Sequence, residues 1–160
     1  MTRADRFLAG YVPYLLRHAD QTLSAPFYAA LSDYGVARSE WRVLAVIHDL
    51  GEMTVVDLAE AALSPQPTVT NALRRLEKRG LLVRKAGTAD KRQRFVSLTK
   101  AGRKLTAELI SQARHLEAEL LADAGDIEGL LDRLRALTAS IEDRASQNSS
   151  LQALPIKDTA

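Results

Sequence analysis

Cysteine is missing altogether from this 160-residue chain. Its absence removes disulfides, thiolate metal sites and thiol-based redox sensing together, and it suits a reducing compartment, so a cytoplasmic location is expected. Histidine is scarce: His18, His48 and His115 lie far apart, and none forms the i, i+4 pair of a metal-binding helix. No metal or other cofactor is therefore expected. There is no glycine-rich phosphate loop, nucleophile elbow or close pair of carboxylates, so no catalytic residue is assigned and an enzyme is not expected. No window approaches the apolar length of a membrane span, and Met1 to Tyr11 has no long apolar run of the kind a signal peptide needs. A membrane partner is not expected. Solenoid-period repeats and low-complexity tracts are also missing, and the length fits one domain or two small lobes with a real core.

What the chain does have is concentrated between Thr54 and Gly102. The spacing predicts a helix from Thr54 to about Leu63, opened by Thr54 and Asp57 in the manner of a capping box. Ser64-Pro65-Gln66-Pro67 breaks it, and a second helix follows with Ser64 or Gln66 as N-cap, because proline is tolerated in a first turn and little further in. That helix runs to Arg79 and stops at Gly80. Val69, Ala72, Leu73 and Leu76 make its apolar face. The opposite face carries Pro67, Thr70, Asn71, Arg74 and Lys78, flanked by Gln66, Thr68 and Arg75. Small polar groups near the N-terminus, followed by guanidinium groups, are what a helix entering a DNA major groove requires.

Beyond Gly80, residues 81–85 and 94–98 read as short strands around a turn cluster at Gly87–Asp90. With Lys91, Arg92 and Arg94 they describe a basic hairpin, which beside a helix-turn-helix is a wing. Any one of these charges could be an ordinary solvated group, but their segregation is not ordinary. Residues 74–104 hold 12 Lys/Arg against 2 Asp/Glu, a net of +10, while the rest of the chain carries −8 within a total of +2. Such a localised field suits a polyanion.

These letters resemble a known family. Leu58-Ala59-Glu60, Thr68-Val69-Thr70, Leu76-Glu77-Lys78-Arg79-Gly80-Leu81-Leu82, Asp90-Lys91-Arg92 and Val96-Ser97-Leu98-Thr99-Lys100-Ala101-Gly102 look like the MarR family of bacterial transcription regulators. Trp41-Arg42-Val43-Leu44 resembles that family's entry to its second helix. The resemblance implies a mainly α fold with a small β-hairpin wing, in which a winged helix-turn-helix is joined to a helical dimerisation region. It also implies a sequence-specific DNA-binding regulator, a repressor in this reading. A homodimer would act on a palindromic operator and be released by a small aromatic or phenolic acid. An architectural DNA binder without an effector, or a winged-helix module for protein interaction, stays open as the alternative.

Four segments follow from this. Residues 1–35 form an N-terminal dimerisation region, with Pro13 and Pro26 each marking a helix start or kink. Residues 36–102 form the DNA-binding domain, in which Glu40 to His48 is a helix with Trp41, Leu44, Ala45 and Ile47 inward. Residues 103–147 hold two dimerisation helices, with Asp126 capping the second, apolar stripes too wide for one small lobe, and an acidic surface at Glu117, Glu119, Asp123, Glu128 and Asp132. Residues 148–160 read as a flexible tail. Where the family often caps its second helix with Thr or Ser, this chain has Ala37.

The major-groove set is Gln66, Pro67, Thr68, Thr70, Asn71 and Arg74. Thr70 and Asn71 are expected nearest the bases, since Asn can pair with adenine and Thr can meet a thymine methyl. Family members often carry arginine where this chain has Asn71, so the operator sequence does not carry over. The phosphate set is Thr54, Arg75, Lys78, Arg84 and Lys85, groups that set affinity and register rather than sequence. In the wing, Asp90, Lys91, Arg92 and Arg94 face the minor groove, with Arg92 in the place of the family's inserted arginine and Asp90 bracing it. The effector is expected near Tyr14, Arg17, His18, Trp41 and Arg42, which can stack on a ring and pair with a carboxylate.

Overall fold

The computed structural model describes residues 6–86 and 94–147. In order come α1 (Phe7–Gly10), α2 (Val12–Ala30), a 3-10 turn (Leu31–Tyr34), α3 (Arg38–Leu50), β1 (Met53–Thr54), α4 (Val55–Ala61), α5 (Gln66–Lys78), β2 (Leu82–Ala86), β3 (Arg94–Leu98), α6 (Lys100–Leu121) and α7 (Ile127–Gln147). The mainly helical class with a small sheet is as expected. The described residues fall into two compact units that divide between Glu119 and Leu120.

The N-terminal helix breaks once, at extended Tyr11, and Pro13 sits in the first turn of α2. Pro26 lies inside α2, and the helix continues through it to bury Phe27. Proline there forfeits one backbone bond, and the packing of Phe27 and Leu31 sustains the helix nonetheless. Gly35, at φ +59°, then turns the chain in the left-handed region that glycine tolerates best.

The core of the first unit is built by α3, α4 and α5 over the sheet. Val43, Leu44 and Ile47 of α3 and Leu58 of α4 meet Val69, Ala72, Leu73 and Leu76 of α5, with Leu82, Val96 and Leu98 from the strands. Two inward residues expected on α3, Trp41 and Ala45, are only half-buried, because their face of the helix borders a cavity rather than the core. Val43, which the inward set omits, is buried instead.

Thr54 caps α4 as expected: its Oγ1 accepts from the Asp57 N–H at 3.2 Å and donates to Asp57 Oδ2 at 2.8 Å. The start of α5 differs from expectation. Pro65 is the N-cap, not Ser64 or Gln66. Ser64 turns its hydroxyl back to the Ala62 carbonyl at 2.9 Å, so it is unavailable to α5. The turn between these helices places Leu63 at φ +48°, an unusual conformation for a residue with a Cβ.

The sheet has three antiparallel strands in the order β1-β3-β2, where a two-stranded hairpin was expected. Leu82 faces Leu98 and Arg84 faces Val96 in the hairpin, while Met53 and Thr54 pair with Val96 and Phe95. A two-residue strand has no periodicity to detect; only its pairing defines it. At the sheet's end, Thr99 ties the strand to α6, its Oγ1 donating to the Gly80 carbonyl at 2.8 Å and accepting from the Gly102 N–H at 3.0 Å. In the second unit, Asp126 Oδ1 accepts from the Gly129 N–H at 2.9 Å, as a cap should, and no residue of α7 is buried.

Candidate nucleic-acid interface

α5 is held by its apolar stripe and turns its other side outward. Gln66, Pro67, Thr68, Asn71 and Arg74 are all exposed on it, and Thr70 is half-buried. Arg74 Nη1 donates to Asn71 Oδ1 at 3.4 Å, which would steady the amide for a bond to a base edge. Five of the six residues of the major-groove set thus stand exposed along about the first two and a half turns of α5, with Thr70 half-buried among them.

The phosphate set divides. Lys78 and Lys85 are exposed and carry no ion pair among the described residues. Arg75 places Nε 2.7 Å from Glu40 Oε1, and Arg84 places Nε 3.0 Å from Glu77 Oε2. The Thr54 hydroxyl is already engaged by Asp57. Three of the five thus have partners within the chain, although half of the Arg75 side chain remains open to solvent. In the wing, Arg94 opens β3 opposite Ala86 and is exposed. Asp90, Lys91 and Arg92 lie outside the described residues.

Glu40 is the residue that reading the sequence missed. It is 3% exposed, and it gathers the Ala37 N–H at 3.0 Å together with Arg75 and Arg79. Its hydrogen bond to the Ala37 amide keeps half of a capping box where alanine removes the other half. The available signal was a carboxylate three residues after a helix start, but no local pattern pairs it with arginines 35 and 39 positions away.

The residues expected around an effector fall on three surfaces. Tyr14 and His18 stack on each other along α2, with ring centroids 6.0 Å apart. Arg17 and Arg42 line a polar cavity of about 550 Å³ with Arg38 and Tyr28. Trp41 borders a larger cavity of about 760 Å³ between α3 and α6, whose walls include Ala45, Ile110, Ser111, Arg114 and Glu117. Trp41 meets Phe27 edge-on at 4.9 Å, beside a smaller cavity of about 180 Å³.

The sequence model of the MarR family matches residues 34–93. A solved MarR family transcriptional regulator from Silicibacter pomeroyi DSS-3 is 36% identical, with a TM-score of 0.71, and the match covers 84% of this chain and 99% of that one. This chain belongs to the MarR family. The HTH-type transcriptional regulator FarR of Neisseria gonorrhoeae is 33% identical over 94 residues, which is 59% of this chain and 64% of that protein, a little under two thirds of its length. The structure of NadR in complex with 4-hydroxyphenylacetate is similar too, at 28% identity and a TM-score of 0.72, covering 88% of this chain and 96% of that one. As a MarR-family protein the chain is a DNA-binding transcriptional regulator and not an enzyme.

Proposed function

We propose that this regulator acts as a homodimer repressor that reads a palindromic operator and lets go when a small aromatic acid binds. The observation that carries the reading is the outward face of α5, where Gln66, Thr68, Asn71 and Arg74 stand exposed above a fully apolar inner stripe. Dimerisation is supported by apolar side chains left in water. In α1 and α2 these are Phe7, at 74% exposure, with Tyr11, Val12, Leu15 and Leu16; in α7 they are Leu130, Leu137 and Ile141. Exposed apolar surface on each unit marks an association site, and a second copy covers it by symmetry. Two recognition helices then meet successive major grooves about 34 Å apart.

The α3–α6 cavity is the effector site in this reading. Its volume falls within the usual range for small ligands, Trp41 offers a ring to stack on, and Arg114 offers a partner for a carboxylate. Arg17 and Arg42 serve the same chemistry from the neighbouring polar cavity. NadR's complex with 4-hydroxyphenylacetate supports this ligand class. A ligand that fits one lobe separation better than another lowers DNA affinity by its differential affinity for the two states.

The test joins a footprint on duplexes selected from random sequence to a fluorescence titration. Trp41 is the single tryptophan and lines the cavity, so the emission comes from one residue at its wall. A protected palindrome, released as phenolic acids change Trp41 emission, is the expected result. A monomer that binds all duplexes equally in low salt would overturn the reading.

A further inference from the structure

The apolar stripe of α5 keeps the helix against the core, but apolar contact is not directional and does not by itself fix how the helix is rolled. Directional side-chain contacts to the rest of the fold come from two places: Arg84 of β2 reaches Glu77 at 3.0 Å, and Glu40 of α3 engages the helix's end. Glu40 Oε1 accepts from Arg75 Nε at 2.7 Å and Glu40 Oε2 lies 3.4 Å from Arg79 Nη1, so one carboxylate grips both the last turn of α5 and its C-cap. The same arginines reach further. Arg75 Nη2 donates to Ser39 Oγ at 3.2 Å, while Arg79 donates to the carbonyls of Gly35 at 2.8 Å and Tyr34 at 3.3 Å. The carboxylate is itself pinned by the Ala37 amide. The second half of the recognition helix is thereby bolted to the corner where the 3-10 turn gives way to α3, the helix that carries Trp41. Arg74, next to Arg75, and Asn71, one turn before it, lie on the face aimed at bases.

We propose that Glu40 is a positioning residue for operator discrimination. Through Arg75 and Arg79 it sets the roll of α5, so that Asn71 and Arg74 arrive in register with base edges. It also withholds two guanidinium groups from the phosphate backbone, restraining the sequence-independent attraction that a basic helix otherwise has for any duplex. The inference rests on the operator-reading function proposed above.

The two roles have opposite signs, which makes them testable. Glu40→Gln removes a negative charge and the ion pairs to both arginines, so electrostatics alone strengthens binding to every duplex. Loss of register weakens binding to the operator. The expected outcome is therefore higher affinity for random duplex with a steeper salt dependence, alongside a fall of about tenfold in the operator-to-random affinity ratio, the discrimination of roughly one good base contact. Arg75→Gln breaks the clamp from its exposed side and supplies the same test should Glu40→Gln not fold. It too is expected to lower the ratio, and the double variant to lower it no further than either single one, as partners in one network should. A role confined to stability would shift the melting temperature and leave the ratio alone. An unchanged ratio in a folded variant, against a wild type that discriminates, overturns the inference. A wild type that binds operator and random duplex alike overturns the operator reading itself, and the clamp's role with it.

Discussion

Gly102→Ala is a substitution for which helix propensity and packing give opposite answers. Residue 102 lies in the first turn of α6, and exchanging glycine for alanine in a helix ordinarily gains about 1 kcal/mol. Here a Cβ would stand 2.9 Å from the carbonyl carbon of Leu81 and closer still to its oxygen. The obstacle is backbone, and it is held in place: the Leu81 carbonyl accepts from the Thr99 N–H at 3.0 Å, and Leu81 and Leu82 are both buried. Relief requires lifting the start of α6 away from the turn after α5, which strains the Thr99 bonds to Gly80 and Gly102. Overpacking typically costs about 1–3 kcal/mol, and each hydrogen bond lost adds about 1 kcal/mol. With both Thr99 bonds lost and the gain in propensity set against them, the net loss is about 2–4 kcal/mol. For a chain of this size that lowers the melting temperature by roughly 4–16 °C. Thermal unfolding followed by circular dichroism, at one protein concentration because an oligomer's midpoint depends on it, measures the effect. Gly10→Ala is the control, since a Cβ there meets nothing within 4 Å. A Gly102→Ala protein that melts at or above the wild-type temperature would refute the argument.

Leu63 is 89% exposed at φ +48°, so Leu63→Asn relieves an awkward backbone without emptying the core and is expected to stabilise the chain by about 1 kcal/mol; a lower melting temperature would show that the leucine packs against something in the assembly. Arg92→Ala is expected to weaken operator binding and reduce the slope of log affinity against log salt by about one unit. Identical slopes for the two proteins would retire the wing assignment.

Much of this protein can be read without coordinates because its determinants are local. A period of 3.6 in Val69, Ala72, Leu73 and Leu76, a threonine three residues before Asp57, and an aspartate three residues before Gly129 each act within a single turn of helix, and the structure shows each where its spacing implies. The crowding of positive charge between residues 74 and 104 is likewise a property of composition alone, and it points to a polyanion without reference to the fold. Other features depend on residues far apart in the chain. β1 exists because Met53 and Thr54 lie beside β3, not because of what they are. Pro65 caps α5 because the turn leaves Ser64 bonded backward. Trp41 borders a cavity instead of filling the core because α6 stands beside α3 at that height. Arg75, a plain basic residue in sequence, is engaged by a carboxylate 35 positions earlier. Local spacing determined which segments are helices and which of their faces are apolar; the meeting of distant helices decided which charged groups of α5 are paired within the fold and which stand exposed on its surface, because an ion pair depends on separation in space and not along the chain.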